Sequence, residues 1–292
     1  MYINPKNIPK ILRLAPDEIQ KIIESKVADL REHFVTSNYH QTAVIGLSGG
    51  IDSALSATLA ALALGPENVI AVRLPFRACN EKSNRIAEEI ALAIGIPSKN
   101  LLTVDITQAV DATLRSTAGI LGGDEKIRVG NAAARERMKV LMDICTVKKA
   151  LLIGTENRTE ELLAYFTIGG DSISNVEPIQ DLWKTQVFQL AAAIKTPTGQ
   201  HLPKSVLDRA PSAELWEGQT DEGELDFSYL AADVVLALTE EGKTPQQIAK
   251  EAAIPLITVN KVLKRVKITK RKRHAPYRIN TLRHTSIQAL TL

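Results

Sequence analysis

The residues best suited to chemistry sit in one short run, Ser48-Gly49-Gly50-Ile51-Asp52-Ser53. An apolar stretch (Val44-Ile45-Gly46-Leu47) precedes it, and Ala54-Leu55-Ser56-Ala57, a good helix former, follows. A strand, a glycine turn and a helix start in that order make an anion cradle. The two glycines let the backbone approach an anion without a Cβ in the way, and the N–H groups of the first helical turn point at it. Ser48 and Ser53 add hydroxyl donors, and Asp52 is placed to hold a metal ion on phosphates. A Walker A loop would need G-x-x-x-x-G-K-[ST]; this loop has no lysine and a shorter glycine pair. A different phosphate loop is therefore expected, spanning Gly46, Leu47, Ser48, Gly49, Gly50, Ile51, Asp52 and Ser53. A tight strand-to-helix connection with no ligand is the plain alternative. Serine on both sides and an acid at the fifth place argue against it.

The surrounding chain has the pattern needed to position such a loop. Asp17 to Phe34 carries apolar residues at three- and four-residue spacing and predicts an amphipathic helix. Strands are expected at Thr42 to Leu47, Val69 to Leu74, Leu101 to Val104 and Ala150 to Gly154, with helices at Asn80 to Ile94, Ile106 to Leu121 and Asn131 to Val147. Strands alternating with helices predict an α/β fold: a doubly wound, mostly parallel sheet covered on both faces. Ligands in such sheets bind at the carboxyl ends of the strands. Those ends are Ser48 to Ser53, Leu74-Pro75-Phe76, Asp105 and Gly154-Thr155-Glu156. Beyond residue 155 the pattern loosens. Tyr165 to Glu177 is a glycine- and serine-rich loop, Trp183 to Ile194 a helix, and Glu217 to Asp226 an acidic, turn-rich stretch. Helices follow at Phe227 to Thr239, Pro245 to Ala253 and Pro255 to Val266. One domain over residues 1–292 is expected, with a core at about 42–195 and a helical C-terminal region at about 205–292.

Composition narrows the classes. Hydrophobic content of 45% with 24% charged residues suits a globular protein, and no apolar run approaches the length of a membrane helix. The N-terminus lacks the basic-then-apolar layout of a secretory signal. Cys79 and Cys145 stand far apart with no C-x-x-C, so neither a disulfide framework nor a zinc knuckle is supported, and a cytoplasmic setting is the default. A net charge of +3 is too mild to imply a nucleic-acid partner. Its distribution is more pointed: Asp208 to Glu241 carries ten acids and one base, and Lys261 to Arg278 carries nine Lys or Arg and no acid. Such blocks could face each other, or the basic one could meet an anionic ligand.

The hexapeptide resembles the pyrophosphate loop of the N-type ATP pyrophosphatases, which cleave ATP between the α- and β-phosphates and adenylate an oxygen of the substrate. Five further stretches resemble one branch, the NAD synthetases: Asn131-Ala132-Ala133-Ala134-Arg135-Glu136-Arg137-Met138; Gly154-Thr155 with Glu160; Tyr165-Phe166-Thr167 with Gly170-Asp171 and Glu177-Pro178-Ile179; Pro211-Ser212-Ala213-Glu214-Leu215 with Gly218-Gln219-Thr220-Asp221-Glu222; and Lys270-Arg271-Lys272-Arg273-His274-Ala275-Pro276. The resemblance implies an adenine nucleotide α-hydrolase-like fold, a homodimer, and ATP-dependent amidation of deamido-NAD by free ammonia through an adenylated nicotinate, releasing AMP and pyrophosphate. No glutaminase domain precedes residue 42, so a hydrolytic source of ammonia is not expected within the chain. By motif position Asp52, Glu160 and Lys184 are the catalytic set, and Asp52 and Glu160 hold Mg²⁺. Thr155, Lys184 and Ser212 join the loop in binding ATP, while Arg135, Ile168, Asn175, Arg271 and Lys272 fall in the substrate site. Read from the residues alone, Glu160 could be a solvated helix acid, Arg135 the partner of a nearby acid, and Lys184 a surface lysine.

Two positions depart from the family pattern. Ile168 stands where many members have Lys, and Asn175 where Asp is common. Losing a cation and an anion together looks like loss of a pair, so a different hold on deamido-NAD, or a related carboxylate as acceptor, is the alternative; a tolerant loop is the plain one. A rival class comes from residues 244–263, which have a helix-turn-helix flavour with Lys264 to Arg273 behind them, as a DNA- or tRNA-binding module would. The resemblance disfavours it, because the basic tail already has a dinucleotide to contact.

Overall fold

The computed structural model describes residues 2–4, 7–36, 41–77, 81–118, 125–212 and 218–274. The strands are β1 (Thr42–Gly46), β2 (Val69–Arg73), β3 (Leu101–Thr103) and β4 (Ala150–Ile153). They form one parallel sheet in the order β3-β2-β1-β4, with Ala43 opposite Val69, Ala71 opposite Leu101 and Thr42 opposite Ala150. Because the chain runs outward from β1 to β3 and then returns to the other side of β1, strand order reverses between β1 and β4. An open parallel sheet offers its binding crevice at that place.

Alternation along β1 covers both faces of the sheet. Ala43 and Ile45 share one hydrophobic cluster with Leu55 and Leu59, while Val44 joins Met138 and Leu141 in another. The first face is built by α1 (Pro16–Thr36), α2 (Ile51–Leu64), α3 (Glu81–Ile94) and, later in the chain, α7 (Lys184–Ala193); the second by α4 (Thr107–Ser116) and α5 (Glu125–Lys148). Helix α2 is nearly wholly buried, and its Ala, Ser and Thr residues let it lie close to the strands. Leu55 and Leu59 are fully buried, each worth roughly 1.5–3 kcal/mol relative to exposure.

Short helices follow at α6 (Arg158–Leu163), α8 (Lys204–Leu207) and α9 (Asp221–Leu225), then α10 (Tyr229–Glu240), α11 (Pro245–Ala252), α12 (Leu256–Ile268) and α13 (Lys270–Arg273). The parallel sheet and helical C-terminal region match the expectation. Helix α5 starts six residues earlier than the sequence pattern indicates, the short α6, α8 and α13 were not among the expected helices, and α9 forms within the stretch expected to be turn-rich. The expected helix end at Leu121 lies outside the described residues, as do Cys79, Ala213 to Leu215 and everything after His274. Cys145 is half-buried, and burial pushes its thiol up to about 11, far from a reactive thiolate. Among the described residues no helix is long and apolar enough to cross a membrane.

The opposed charge blocks do meet: Lys261 pairs with Asp226. Much of the remaining basic block is spent on the end of α6. Arg265 Nε donates to the Leu163 carbonyl at 3.0 Å, Arg273 Nη1 to that of Leu162 at 2.7 Å, and Lys272 Nζ to that of Ala164 at 2.9 Å. Cations at the last carbonyls satisfy groups that helix geometry leaves open and complement the helix dipole.

Candidate active site

The phosphate loop leaves β1 and turns at Gly49, whose φ of +80° is left-handed. A Cβ there would lie 2.8 Å from the Ser83 carbonyl oxygen, so glycine is needed for both conformation and space. Two serines tie the turn. Ser48 Oγ accepts from the Gly50 N–H at 3.2 Å and lies 3.1 Å from Ser53 Oγ, which donates to the Gly50 carbonyl at 3.0 Å. Gly50 precedes α2 and offers no capping side chain, so the first turn of the helix faces the cavity with its own N–H groups. The cavity has a volume of about 430 Å³ and is lined by Gly46, Leu47, Ser48, Gly50, Ile51, Asp52 and Ser53. Gly49 stays behind them.

Three elements converge beside this loop. Lys184, the first residue of α7, is 1% exposed; its ammonium donates to Asp52 Oδ2 at 2.6 Å and to Glu160 Oε1 at 2.8 Å. The surface-lysine alternative therefore does not hold, and Glu160 is no freely solvated helix acid. Helix α6 presents Glu160 through a capping box: Asn157 Oδ1 accepts from the Glu160 N–H at 3.1 Å, and Glu160 Oε2 accepts from the Asn157 N–H at 3.4 Å. The Asn157 amide also donates to Asp52 Oδ1 at 2.9 Å, joining α6 to α2. Behind them, fully buried Asp233 of α10 accepts from Thr159 Oγ1 at 2.5 Å and from the Thr185 N–H at 2.7 Å, locking the starts of α6 and α7 together.

Electrostatics set the character of the site. Burial opposes charge on Lys184, but the Asp52 and Glu160 carboxylates beside it hold its ammonium well above the usual lysine range. Burial pushes Glu160 up to about 8 against the pull of Lys184. Asp221, 4% exposed, is likewise raised by burial and accepts from Tyr229 Oη at 3.0 Å. The centre is thus one fixed cation among acids, open on one side to a cavity whose rim also carries Thr155, Arg209, Ser212, Asp171, Arg137 and Lys272.

The remaining expected residues divide. Thr155, Ser212 and Lys272 line the cavity with the loop and the triad; Arg135, Ile168, Asn175 and Arg271 do not. Arg135 is exposed and donates to the Ile168 carbonyl at 3.1 Å rather than to an acid. The Ile168 side chain is 45% exposed. Asn175 has a structural partner: its N–H donates to the Leu152 carbonyl at 3.0 Å and its Oδ1 accepts from the Leu152 N–H at 2.9 Å, tying this stretch to the edge of β4. The loop between them is held by the Thr167 N–H donating to Asp171 Oδ1 at 2.6 Å and by Thr167 Oγ1 donating to Asn131 Oδ1 at 2.9 Å. Sequence reasoning gave no role to Asn157, Asp221, Tyr229, Arg137 or Arg209. Asn157 carried a usable signal, since Asn-x-x-Glu is a capping box; Arg209 carried none.

Comparison with known proteins agrees with this geometry. The NAD synthase family model matches residues 22–276. An NH(3)-dependent NAD(+) synthetase of Fusobacterium nucleatum is 37% identical over 259 residues, covering 88% of this chain and 95% of that protein. One from Methanocaldococcus jannaschii is also 37% identical, covering 89% and 96%. Among solved structures, an NMN synthetase from Francisella tularensis superposes with a TM-score of 0.76 at 30% identity, covering 91% of this chain and 99% of that one. An NH3-dependent NAD synthetase from Campylobacter jejuni gives 0.71 at 28%, covering 90% and 99%. With the family model spanning nearly the whole described chain and its loop and carboxylates gathered round one cavity, this protein belongs to the NAD synthase family.

Proposed function

We propose that this chain converts deamido-NAD to NAD, using ATP to activate the nicotinate carboxylate and free ammonia as the nitrogen donor. The observation that carries the reading is the Asp52–Lys184–Glu160 cluster at the open end of a glycine-serine phosphate loop. A carboxylate is a poor acyl donor, and adenylation gives it a good leaving group. Its oxygen attacks the α-phosphorus of ATP, the bond to the bridging oxygen breaks, and pyrophosphate leaves. Ammonia then attacks the acyl carbon, losing a proton as AMP departs. Charge moves through the phosphates, so fixed donors and cations contribute more than a protein nucleophile would. The α2 N-terminus and the loop serines hold phosphate oxygens; Lys184, kept charged by its neighbours, faces the reacting phosphate; Thr155 and Ser212 take further positions on ATP.

Asp52 and Glu160 suit a magnesium ion. Their oxygens are hard donors, and two carboxylates share the single charge of Lys184, leaving acid in excess. When bound, Mg²⁺ would supply charge neutralisation on the phosphates. The acceptor falls toward Asp171, Arg137 and Lys272 on the far rim, with Arg135, Ile168, Asn175 and Arg271 placed where the longer dinucleotide extends beyond the cavity. We take the working unit to be a homodimer of one-domain chains in the cytoplasm.

The test is turnover of purified protein with ATP, Mg²⁺, deamido-NAD and ammonium, following AMP, pyrophosphate and NAD. Equimolar formation of all three, with glutamine unable to replace ammonium, is expected; no AMP formation dependent on deamido-NAD refutes the reading. A second reading has a specific basis. Ile168 and Asn175 carry no charge where the family pattern has a pair, and an NMN synthetase is among the similar structures. The acceptor would then be the shorter nicotinate mononucleotide, and its kcat/KM in the same assay would exceed that of deamido-NAD.

A further inference from the structure

We infer that Arg209 is a second cation of the phosphate site, one that receives the pyrophosphate as it leaves. The inference rests on the ATP-cleaving reading above and extends it to a residue to which the sequence motifs assign nothing. Arg209 follows α8 and lines the cavity together with Ala210, Pro211 and Ser212. Its Nη1 donates to the Gly49 carbonyl at 3.2 Å and its Nη2 to Ser83 Oγ at 2.8 Å. It is the guanidinium that lies against the hidden face of the turn: a Cβ on Gly49 would come within 3.0 Å of Nη1. The head group is thus pinned between the loop and the start of α3.

Position decides its role. Lys184 reaches the loop from the Asp52 end, in the first turn of α2, whereas Arg209 reaches it at Gly49, three residues earlier. A triphosphate laid along the loop therefore has a cation at each end. Lys184 is committed to the two carboxylates at the reacting end. When the bond between the α-phosphorus and the bridging oxygen breaks, the electron pair stays on that oxygen and the departing pyrophosphate gains negative charge. No lysine within the loop is available to meet it, as one is in a Walker A loop. A planar guanidinium presents several N–H donors to phosphate oxygens in a fixed fork, and partial burial strengthens the attraction. Burial lowers the proton affinity of Arg209.

The experiment compares the unaltered protein with Arg209→Gln and Arg209→Lys, using ATP, AMP and inorganic pyrophosphate as probes. For Arg209→Gln, the inhibition constant of pyrophosphate against ATP should rise about tenfold to a hundredfold, and kcat/KM for ATP should fall by a similar factor. AMP affinity and the melting temperature should stay close to those of the unaltered protein, and Arg209→Lys should recover part of the loss. Equal weakening of AMP and pyrophosphate, with a lowered melting temperature, would make Arg209 a mere brace for the loop and overturn the inference. Unchanged pyrophosphate affinity would overturn it too. If the unaltered protein bound neither ATP nor pyrophosphate, the functional reading itself would fall, which the variants alone could not bring about.

Discussion

Lys184 shows how one residue can hold a site and threaten it at once. Its ammonium is buried and balanced by two carboxylates that come from different helices. Taking these charges out of water is costly, and the arrangement survives because each group answers another. Lys184→Met would leave Asp52 and Glu160 facing each other without their cation. Breaking a buried ion pair from one side typically costs about 3–5 kcal/mol, so the variant should unfold at markedly lower urea concentration than the unaltered protein. Turnover should drop about a hundredfold to a thousandfold, the scale seen when one oriented charge-stabilising donor is removed. Equilibrium denaturation read alongside initial rates separates the two effects; normal stability and near-normal rate together would remove Lys184 from the centre. The residue also marks a limit of sequence reading. Motif position places Lys184 with ATP, but only the fold reveals that α7 begins against Asp233 and Thr159, so that this lysine points inward while Lys21 and Lys261 remain on surface pairs.

At the scale of elements, the phosphate loop works because strand, turn and helix agree with one another. Val44 and Ile45 anchor β1 on opposite faces of the sheet, α2 follows the turn, and Gly49 takes the left-handed conformation that joins them. Gly49→Ala would incur about 1–2 kcal/mol for the left-handed backbone and would also push against the Ser83 carbonyl and Arg209. We expect a fall in thermal stability accompanied by at least tenfold weaker ATP binding in titration calorimetry, because the same shift displaces the N–H groups of the loop. A loss of stability with ATP affinity intact would show that the turn bears no phosphate. Most strands and the long helices were legible from their apolar pattern, and the loop from its glycines, serines and acid between a strand and a helix. Helix α6 was not: six residues are too few to display a helical period, and its stability comes from the Asn157–Glu160 box and from basic residues over a hundred positions later. The structural part of Asn175 was hidden for a related reason: its amide oxygen serves the backbone of β4, a contact between residues far apart in the sequence that family position alone does not indicate.

Across the whole molecule, the sheet's crevice concentrates acid that the fold must keep partly protonated. Glu156 is 7% exposed, and its Oε1 has no hydrogen-bond partner among the described residues; burial first, then the nearby Asp171 and Glu177 carboxylates, push it up to about 9. Burial raises Glu177 to about 7, although Ser174 and the Glu156 N–H donate to it at 2.6 and 3.2 Å. The approach is close enough that a Cβ on Gly154 would fall 1.9 Å from Glu177 Oε1, which accounts for glycine at the end of β4. Each of these carboxyls binds its proton more tightly in the folded protein than in the unfolded chain, where both titrate near 4.5. The stability they support is therefore complete below pH 4.5 and is lost as pH rises, first through about 7 and then through about 9. Glu156→Gln removes the higher of the two titrations while keeping size and polarity. A tenfold difference in proton affinity is worth about 1.4 kcal/mol, so the variant's advantage over the unaltered protein should be small at pH 5 and grow by up to about 1.4 kcal/mol per pH unit toward pH 9. Urea denaturation across that pH range is the measurement. Two curves that run parallel from pH 5 to pH 9 would mean that Glu156 is ionised in the fold at little cost and that the acid of the crevice is already balanced by Arg137 and Lys272 on its rim.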